Sequence, residues 1–260
     1  MRNCTLCPVL SVLALVAVPT VLLVAAAPVA QQAKPESTKE WAVHDVNRPQ
    51  PAMVATPAGK APSDAIVLFD GTDMSKWTGN RGEAKWTVKD GAFHVAAGTG
   101  NIRTKEGFGS CQIHIEWMIP ATCTCEGQKG CNSGIFFMDR YELQIIGSNP
   151  NKTYVDGMAG AMYGQYPPLV NACRPNGEWN TYDVIFHAPV FKKDGALEKA
   201  GSMTVFFNGV LVQDNSEIWG ATAHAAKGTY SAHEAKLPIG LQDHGDPLMF
   251  RNVWVRPLAQ

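Results

Sequence analysis

Glu142 and Gln144 stand two positions apart in the run Tyr141-Glu-Leu-Gln-Ile145. Side chains alternate across an extended strand, so these two share one face while Tyr141, Leu143 and Ile145 share the other. The apolar face has a core to enter, but nothing in strand stability asks the opposite face to carry an acid and an amide in place of Thr or Val. Three further segments hold side chains of the same kind: Asn132-Ser-Gly134, Glu178-Trp-Asn180 and Gln242-Asp-His-Gly-Asp246. Amides, a carboxylate, an imidazole and indoles suit a carbohydrate, because hydroxyls take paired polar partners and the apolar face of a sugar ring stacks on an aromatic one.

The chemistry narrows by subtraction. A retaining glycosidase needs two carboxyl groups about 5 Å apart, and the neighbour of Glu142 at that spacing is the amide Gln144. A second acid would have to come from another strand, with Glu116 as a candidate, so simple double displacement is not the first expectation. Gly-x-Ser-x-Gly, His-Glu-x-x-His and the phosphate-cradling Gly-x-x-x-x-Gly-Lys are all absent, which removes the commonest serine hydrolases, zinc proteases and nucleotide enzymes. Asp243, His244 and Asp246 offer ligands to a cation, against which stands a hydrogen-bonded loop network. Cys123-Thr-Cys125 with Cys131 lacks a fourth thiol or imidazole nearby for a metal knuckle and reads as a loop pinned by a disulfide. Trp77, Trp86 and Trp117 are expected in the core, and His94, His114 and His187 on the surface or as hydrogen-bonded core histidines.

These residues need elements to hold them, and the composition says which. Of 260 residues only 17% are charged, while Gly contributes 24 and Pro 17, a balance that suits turn-rich β structure. Lys plus Arg at 22 against Asp plus Glu at 23 gives a net charge of -1, so there is no field to attract a nucleic acid backbone. Arg2, the apolar stretch Val9 to Val24 and Ala25 to Ala27 form a secretory signal over residues 1–30, which takes Cys4 and Cys7 with it. Export to the periplasm or the outside is expected, with membrane attachment only through an uncleaved signal. Residues 31–62, rich in Pro and Gln, read as a linker, and 63–260 as one domain. From Ala65 on, short apolar runs alternate with Gly, Asn, Asp and Pro. Strands are expected at Trp86 to Val95, Gln112 to Ile119, Ser133 to Met138, Tyr141 to Ile146, Trp179 to His187, Ser202 to Phe207, Val210 to Gln213, Ile239 to Gln242 and Phe250 to Arg256. Asp90-Gly91 and Asn208-Gly209 supply two tight hairpins. Such a chain builds an all-β fold of two packed antiparallel sheets, a sandwich or jelly roll, with Ala221 to Ala235 as the one place for a short helix.

At these segments the chain resembles the 3-keto-disaccharide hydrolase family. The likeness rests on Leu68-Phe-Asp-Gly-Thr-Asp-Met-Ser-Lys-Trp77, Trp86-Thr-Val-Lys-Asp-Gly91, Asn132-Ser-Gly-Ile-Phe-Phe137, Tyr141-Glu-Leu-Gln144, Gly177-Glu-Trp-Asn180, Asn208-Gly209, Gly240-Leu-Gln-Asp-His-Gly245 and Phe250-Arg-Asn-Val253, in the family's order. The cysteine-bearing stretch Ala121 to Gly130 departs from the pattern, and the substrate would differ if it rims the cleft. The resemblance implies a concanavalin-like sandwich and cleavage of glycosides carrying a ketone at sugar carbon 3. That ketone acidifies the C2 hydrogen, and the oxygen on C1 becomes a β leaving group. Such a site needs a base, an enolate stabiliser and a proton donor. The resemblance suggests Glu142 or His244 as base, Arg251 and Gln144 as stabilisers, Asn132 and Gln242 as hydroxyl holders and Trp179 as a stacking wall; a divalent cation could also polarise the ketone. Two other readings are a noncatalytic carbohydrate-binding module of the same fold and a conventional glycoside hydrolase.

Overall fold

The computed structural model describes residues 40–259; the expected signal segment, with Cys4 and Cys7, lies outside the described residues. The strands are β1 (Ile66–Phe69), β2 (Trp77–Gly79), β3 (Gly82–Glu83), β4 (Thr87–Lys89), β5 (Ala92–His94), β6 (Ile102–Thr104), β7 (Cys111–Met118) and β8 (Asn132–Phe137). They continue with β9 (Tyr141–Ile146), β10 (Asn180–His187), β11 (Val190–Phe191), β12 (Leu197–Lys199), β13 (Ser202–Phe207), β14 (Val210–Glu217), β15 (Gly240–Leu241) and β16 (Met249–Pro257). One sheet has eight strands in the order β14-β13-β10-β7-β16-β5-β4, with β1 also paired to β16. The other has six in the order β3-β2-β6-β15-β8-β9, and β11 and β12 form a separate ribbon. Every pairing within the sheets is antiparallel.

Alternation divides each strand between core and outside. Ile113, Ile115 and Trp117 of β7 and Tyr182, Val184 and Phe186 of β10 point inward and are fully buried. From the six-stranded sheet, Ile135, Phe137, Leu143 and Ile145 meet them. Phe137 stacks on Phe186 with centroids 4.8 Å apart, and the Tyr182 hydroxyl donates to the Gln144 carbonyl at 2.8 Å. Trp77, Trp86 and Trp117 are core residues, as expected. Each large apolar side chain so buried contributes about 1.5–3 kcal/mol.

Both expected hairpins form, with Asp90, Gly91, Asn208 and Gly209 at positive φ, the backbone that a two-residue turn between twisted strands requires. The short strands β1, β2, β3, β6, β11 and β12 were not anticipated, because two to four residues are too few to display a period. No helix forms between Ala221 and Ala235. That segment instead lies along the free edge of the six-stranded sheet, where the Thr222 N–H donates to the Arg140 carbonyl at 2.8 Å. Gly228 folds back against the Ala221 carbonyl so closely that a β-carbon would collide with it. Residues 40–62 carry turns and no strand, and just beyond them Asp64 pairs with Arg256 of β16 at 2.6 Å. Among the described residues no helix is long and apolar enough to cross a membrane.

Candidate active site

β6, β15, β8 and β9 lie side by side, and their outward side chains fall into rows. Register places Arg103, Gly240, Phe136 and Glu142 in one row. The next holds Gly134 opposite Gln144, with Gln242 beyond, whose N–H donates to the Gly134 carbonyl at 3.0 Å. Two glycines therefore occupy the middle strands. A β-carbon on Gly134 would strike the Glu142 carboxylate, and one on Gly240 would come 2.6 Å from the Asp139 carboxylate. The missing side chains leave a trough floored by backbone and by the half-buried ring of Phe136. Glu142 leans over Gly134, and Asp139 leans over Gly240 to pair with Arg103 at 3.2 Å.

Glu142 is 7% exposed. Among the described residues no hydrogen bond reaches its carboxylate oxygens, and burial alone pushes its pKa up to about 8. A neighbouring charge or donor would have added its own effect, so this acid has neither. Its backbone is well held: the Glu142 N–H donates to Thr222 Oγ1 at 2.9 Å and its carbonyl accepts from the Tyr163 N–H at 3.2 Å. Those two bonds bring the segments around Tyr163 and Thr222 beside the acid. The Tyr163 hydroxyl lies 2.7 Å from that of Tyr154 and 3.3 Å from His224 Nδ1. Burial raises the Tyr163 pKa, with the Tyr154 hydrogen bond and the charge of Glu142 adding to it.

Sequence reasoning missed Arg103, Phe136, Asp139, Tyr163 and His224. Their placement depends on which strands and loops become neighbours, and only for Phe136, inside a motif already singled out, was there a signal to follow.

The other expected site residues divide into three groups. Gln242 flanks Gly134 with its amide side chain half-exposed. Gln144 is 1% exposed: its Nε2 donates to Gln128 Oε1 at 3.0 Å and to the Gly157 carbonyl at 3.3 Å, and its Oε1 accepts from the Ile145 N–H at 3.1 Å. Asn132 Nδ2 donates to the Gln128 carbonyl at 3.0 Å, while its Oδ1 is buried without a partner. Gln128 belongs to the departing stretch Ala121 to Gly130, so that stretch does rim the trough and roofs Gln144 and Asn132. Its base is closed by the disulfide Cys125–Cys131, which agrees with the pinned-loop reading.

His244 is exposed at the rim, its Nδ1 3.7 Å from Asp246 Oδ2. Asp246 accepts from the Asn132 N–H at 3.0 Å, and Asp243 from the N–H groups of Gly100 and Gly245 at 2.8 and 2.9 Å. These acids thus knit a loop, and among the described residues no three His, Cys, Asp or Glu side chains are grouped to hold a metal ion.

Trp179 and Arg251 belong to the other side of the molecule. Arg251 pairs in register with Glu116 on the outer face of the eight-stranded sheet, its Nε donating to Glu116 Oε2 at 2.7 Å and its guanidinium 4.0 Å from the Trp179 ring centroid. Because Ile115 and Trp117 point into the core, Glu116 between them points away from it and from Glu142. Both sheets separate the two clusters. Arg251 therefore cannot steady charge developing beside Glu142, Trp179 cannot wall that site, and Glu116 cannot be its second acid. The same outward alternation produced both groups, and a strand's pattern does not say which sheet it will join.

A single desolvated carboxylate in a backbone-floored trough, with an amide and a phenol at its sides, is equipped to move a proton to or from a bound sugar. Residues 64–256 match the family profile described as "3-keto-alpha-glucoside-1,2-lyase-like domain". A Bacteroides thetaiotaomicron protein, "3-keto-disaccharide hydrolase", is 23% identical over 238 residues, covering 74% of this chain and 78% of that protein. Among solved structures, a "putative glycosyl hydrolase" from Parabacteroides distasonis superposes with a TM-score of 0.80 at 41% identity, covering 88% of this chain and 99% of the other. A second structure of that description from the same organism gives 0.53 at 23% identity, over 75% and 94% of the two chains, and speaks for the fold alone.

Proposed function

The chain belongs to the family of 3-keto-alpha-glucoside-1,2-lyase-like domains, and from that premise we propose that it cleaves the glycosidic bond of 3-keto-glycosides, with Glu142 as the base that takes the C2 proton. A glycoside-hydrolase-like function is common ground among its relatives; the ketone requirement and the mechanism are our reading. The observation that carries it is the state of Glu142, buried, undonated and made more basic by desolvation alone.

The steps balance without an oxocarbenium ion. The C2 proton passes to Glu142, and the C2–H electron pair is delocalised onto the C3 oxygen as an enolate. That pair then forms the C1–C2 double bond as the C1–O bond breaks. The departing oxygen takes a proton, and water adding later across the double bond returns a free 3-keto sugar. A more basic carboxylate removes a carbon-bound proton more readily, which gives the burial of Glu142 a purpose. Gln242, next to Gly134, supplies amide donors to the sugar hydroxyls or the enolate oxygen. The Tyr163 phenol, protonated at neutral pH as a tyrosine ordinarily is and kept so by burial, would protonate the leaving oxygen. Phe136 offers the apolar floor on which a ring can lie. His244 stands at the rim, and Gln144, whose two amide hydrogens go to Gln128 and Gly157, holds the loop in place and is not the enolate stabiliser that the sequence suggested. Export fits the amino-terminal signal pattern and the Cys125–Cys131 disulfide.

The test is to incubate purified protein with a 3-keto-disaccharide and with its unoxidised parent and follow the released sugar by mass spectrometry. Cleavage of the keto form alone, lost by at least a hundredfold in folded Glu142→Gln, is expected. Equal cleavage of the parent, or turnover of Glu142→Gln within a few-fold of wild type, would sink the reading.

A further inference from the structure

The proton transfers leave one charged pair of the trough without a task. Arg103 Nη1 donates to Asp139 Oδ2 at 3.2 Å, and the two side chains are 39% and 38% exposed. A guanidinium has five N–H groups, so that single bond leaves most of them, and Asp139 Oδ1, without a partner among the described residues. Stability explains little of the pair, because an exposed ion pair contributes almost nothing in water. The backbone is nevertheless shaped around it. Asp139 sits in the hairpin between β8 and β9 at a φ of 56°, where glycine is easier to hold, and its carboxylate hangs over Gly240 of β15. Gly240 itself lies outside the left-handed region, so its missing side chain is a matter of space and not of conformation. A glycine inside a strand weakens it and marks a place that something approaches closely.

Register puts the pair on the same face as the acid, in the row Arg103, Gly240, Phe136, Glu142. Gly240 lies opposite Phe136, which makes Gly134 its diagonal neighbour, about 7–8 Å away. The Asp139 carboxylate covers the first glycine and the Glu142 carboxylate the second. The two acids therefore stand roughly that far apart beside the Phe136 ring, with room for one pyranose to lie between them. On the other flank of Glu142, the bridge between Leu143 and Met162 sends Met162 to the core, so Tyr163 turns to the trough side at the edge of β9. A sugar whose C1–O and C2–H bonds face Tyr163 and Glu142 presents the opposite edge of its ring, C4 and C5, to Asp139 and Arg103. That edge carries the 4-hydroxyl and, through C6, the 6-hydroxyl.

We propose that Arg103 and Asp139 read the 4- and 6-hydroxyls of the ketone-bearing ring, the guanidinium donating to them and the carboxylate accepting from them. This rests on the reading of Glu142 as the base. It makes the enzyme selective for keto-hexopyranosides in which both hydroxyls are present.

The test compares wild type, Arg103→Gln, Asp139→Asn and Gly240→Ala on a 3-keto-glucoside and on its 4,6-dideoxy analogue with the same leaving group. Wild type should prefer the parent by at least tenfold in kcat/KM, because a site built to bond a hydroxyl rejects the analogue that lacks it. Arg103→Gln and Asp139→Asn should each lose at least tenfold on the parent and stay within about threefold on the dideoxy analogue. Gly240→Ala, whose β-carbon displaces the Asp139 carboxylate, should show the same pattern, and Asp139→Asn decides the matter if either of the others melts early. Losses of equal size on both substrates, or a wild type indifferent to the two hydroxyls, overturn the subsite. A second readout needs no turnover: the Arg103 side-chain N–H resonance, identified by its absence from Arg103→Gln, is followed while methyl glucoside or its 4,6-dideoxy analogue is titrated in. Movement with methyl glucoside alone supports the subsite even if no keto substrate is cleaved, in which case the assignment of Glu142 fails alone. Movement with both ligands, or with neither, overturns the subsite whatever the kinetics show.

Discussion

An acid that has lost its water and gained no donor holds its proton until the solution is made alkaline, and that is how Glu142 should declare itself. Its pKa is pushed up to about 8 by burial, so at pH 7 only about a tenth of the molecules carry the carboxylate. If Glu142 is the base, kcat/KM should rise with pH through about 8, and Glu142→Gln should abolish that limb along with the activity. A profile that falls through the same pH would mean that Glu142 works as an acid. Gly134 gives a second handle on the same carboxylate. Its β-carbon would collide with Glu142, so Gly134→Ala should lower kcat/KM at least tenfold, read against a melting curve that shows the protein folded. At this scale the sequence could be read well for one residue and poorly for others. Glu142 was legible because Leu143 and Ile145 fix its face through a period of two. Arg251 was misplaced because an arginine at a strand start looks the same whichever sheet receives the strand. Tyr163 and His224 were invisible because only tertiary pairing of distant segments brings them to the acid.

Among the elements, the hairpins were the most readable, since Asp90-Gly91 and Asn208-Gly209 are needed by the backbone itself at φ values of 51° to 80°. The trough was not, because it arises where Gly134 and Gly240 from separate strands meet in adjacent columns, and nothing local in either strand announces its neighbour. The loop Ala121 to Gly130 was recognised as a departure, and the structure gives it a task. Gln128 accepts from Gln144 at 3.0 Å, while its own Nε2 donates to Thr153 Oγ1 and the Gly157 carbonyl at 2.7 and 2.9 Å, so the loop fastens one end of the trough. The disulfide at its base closes a chain segment with a sequence separation of 6, and on the chain-entropy account a ring of that size stabilises by about 2 kcal/mol. Replacing Cys125 and Cys131 together by Ser should lower unfolding free energy by about that amount in urea titration and should raise KM, because Gln144 and Asn132 lose their roof. A variant with unaltered stability would show that the loop is held by its hydrogen bonds instead.

Across the whole molecule, two outer faces built by the same alternation have opposite electrostatics, and the contrast separates function from stability. On the six-stranded sheet the acid is undonated. On the eight-stranded sheet Glu116 is surrounded: His114, Asn252 and Arg251 hold its pKa down to about 2 against the effect of burial. Burial by itself would lower the His114 pKa, yet hydrogen bonds and charge from Asp183 and Glu116 outweigh it and raise the group from 6.5 to about 9. The His114 ring also lies flat on Trp254, 5.1 Å between centroids, inside the strands that carry the core. A histidine bound more tightly to its proton in the folded state stabilises fully below the unfolded value of 6.5, and the contribution is lost as pH rises through 9. For Glu116 the sign is reversed: its contribution is present above the unfolded value of 4.5 and disappears as pH falls through 2. The midpoint of thermal unfolding of wild type should therefore fall between pH 7 and 10, and His114→Gln, less stable at pH 7, should show a flatter decline over that range. Its kcat/KM, measured well below the melting temperature, should stay within twofold of wild type with the same rising limb, because both sheets stand between His114 and Glu142. A changed limb in His114→Gln would mean that the two faces are coupled through the core, and the assignment of catalysis to the six-stranded face alone would have to be given up.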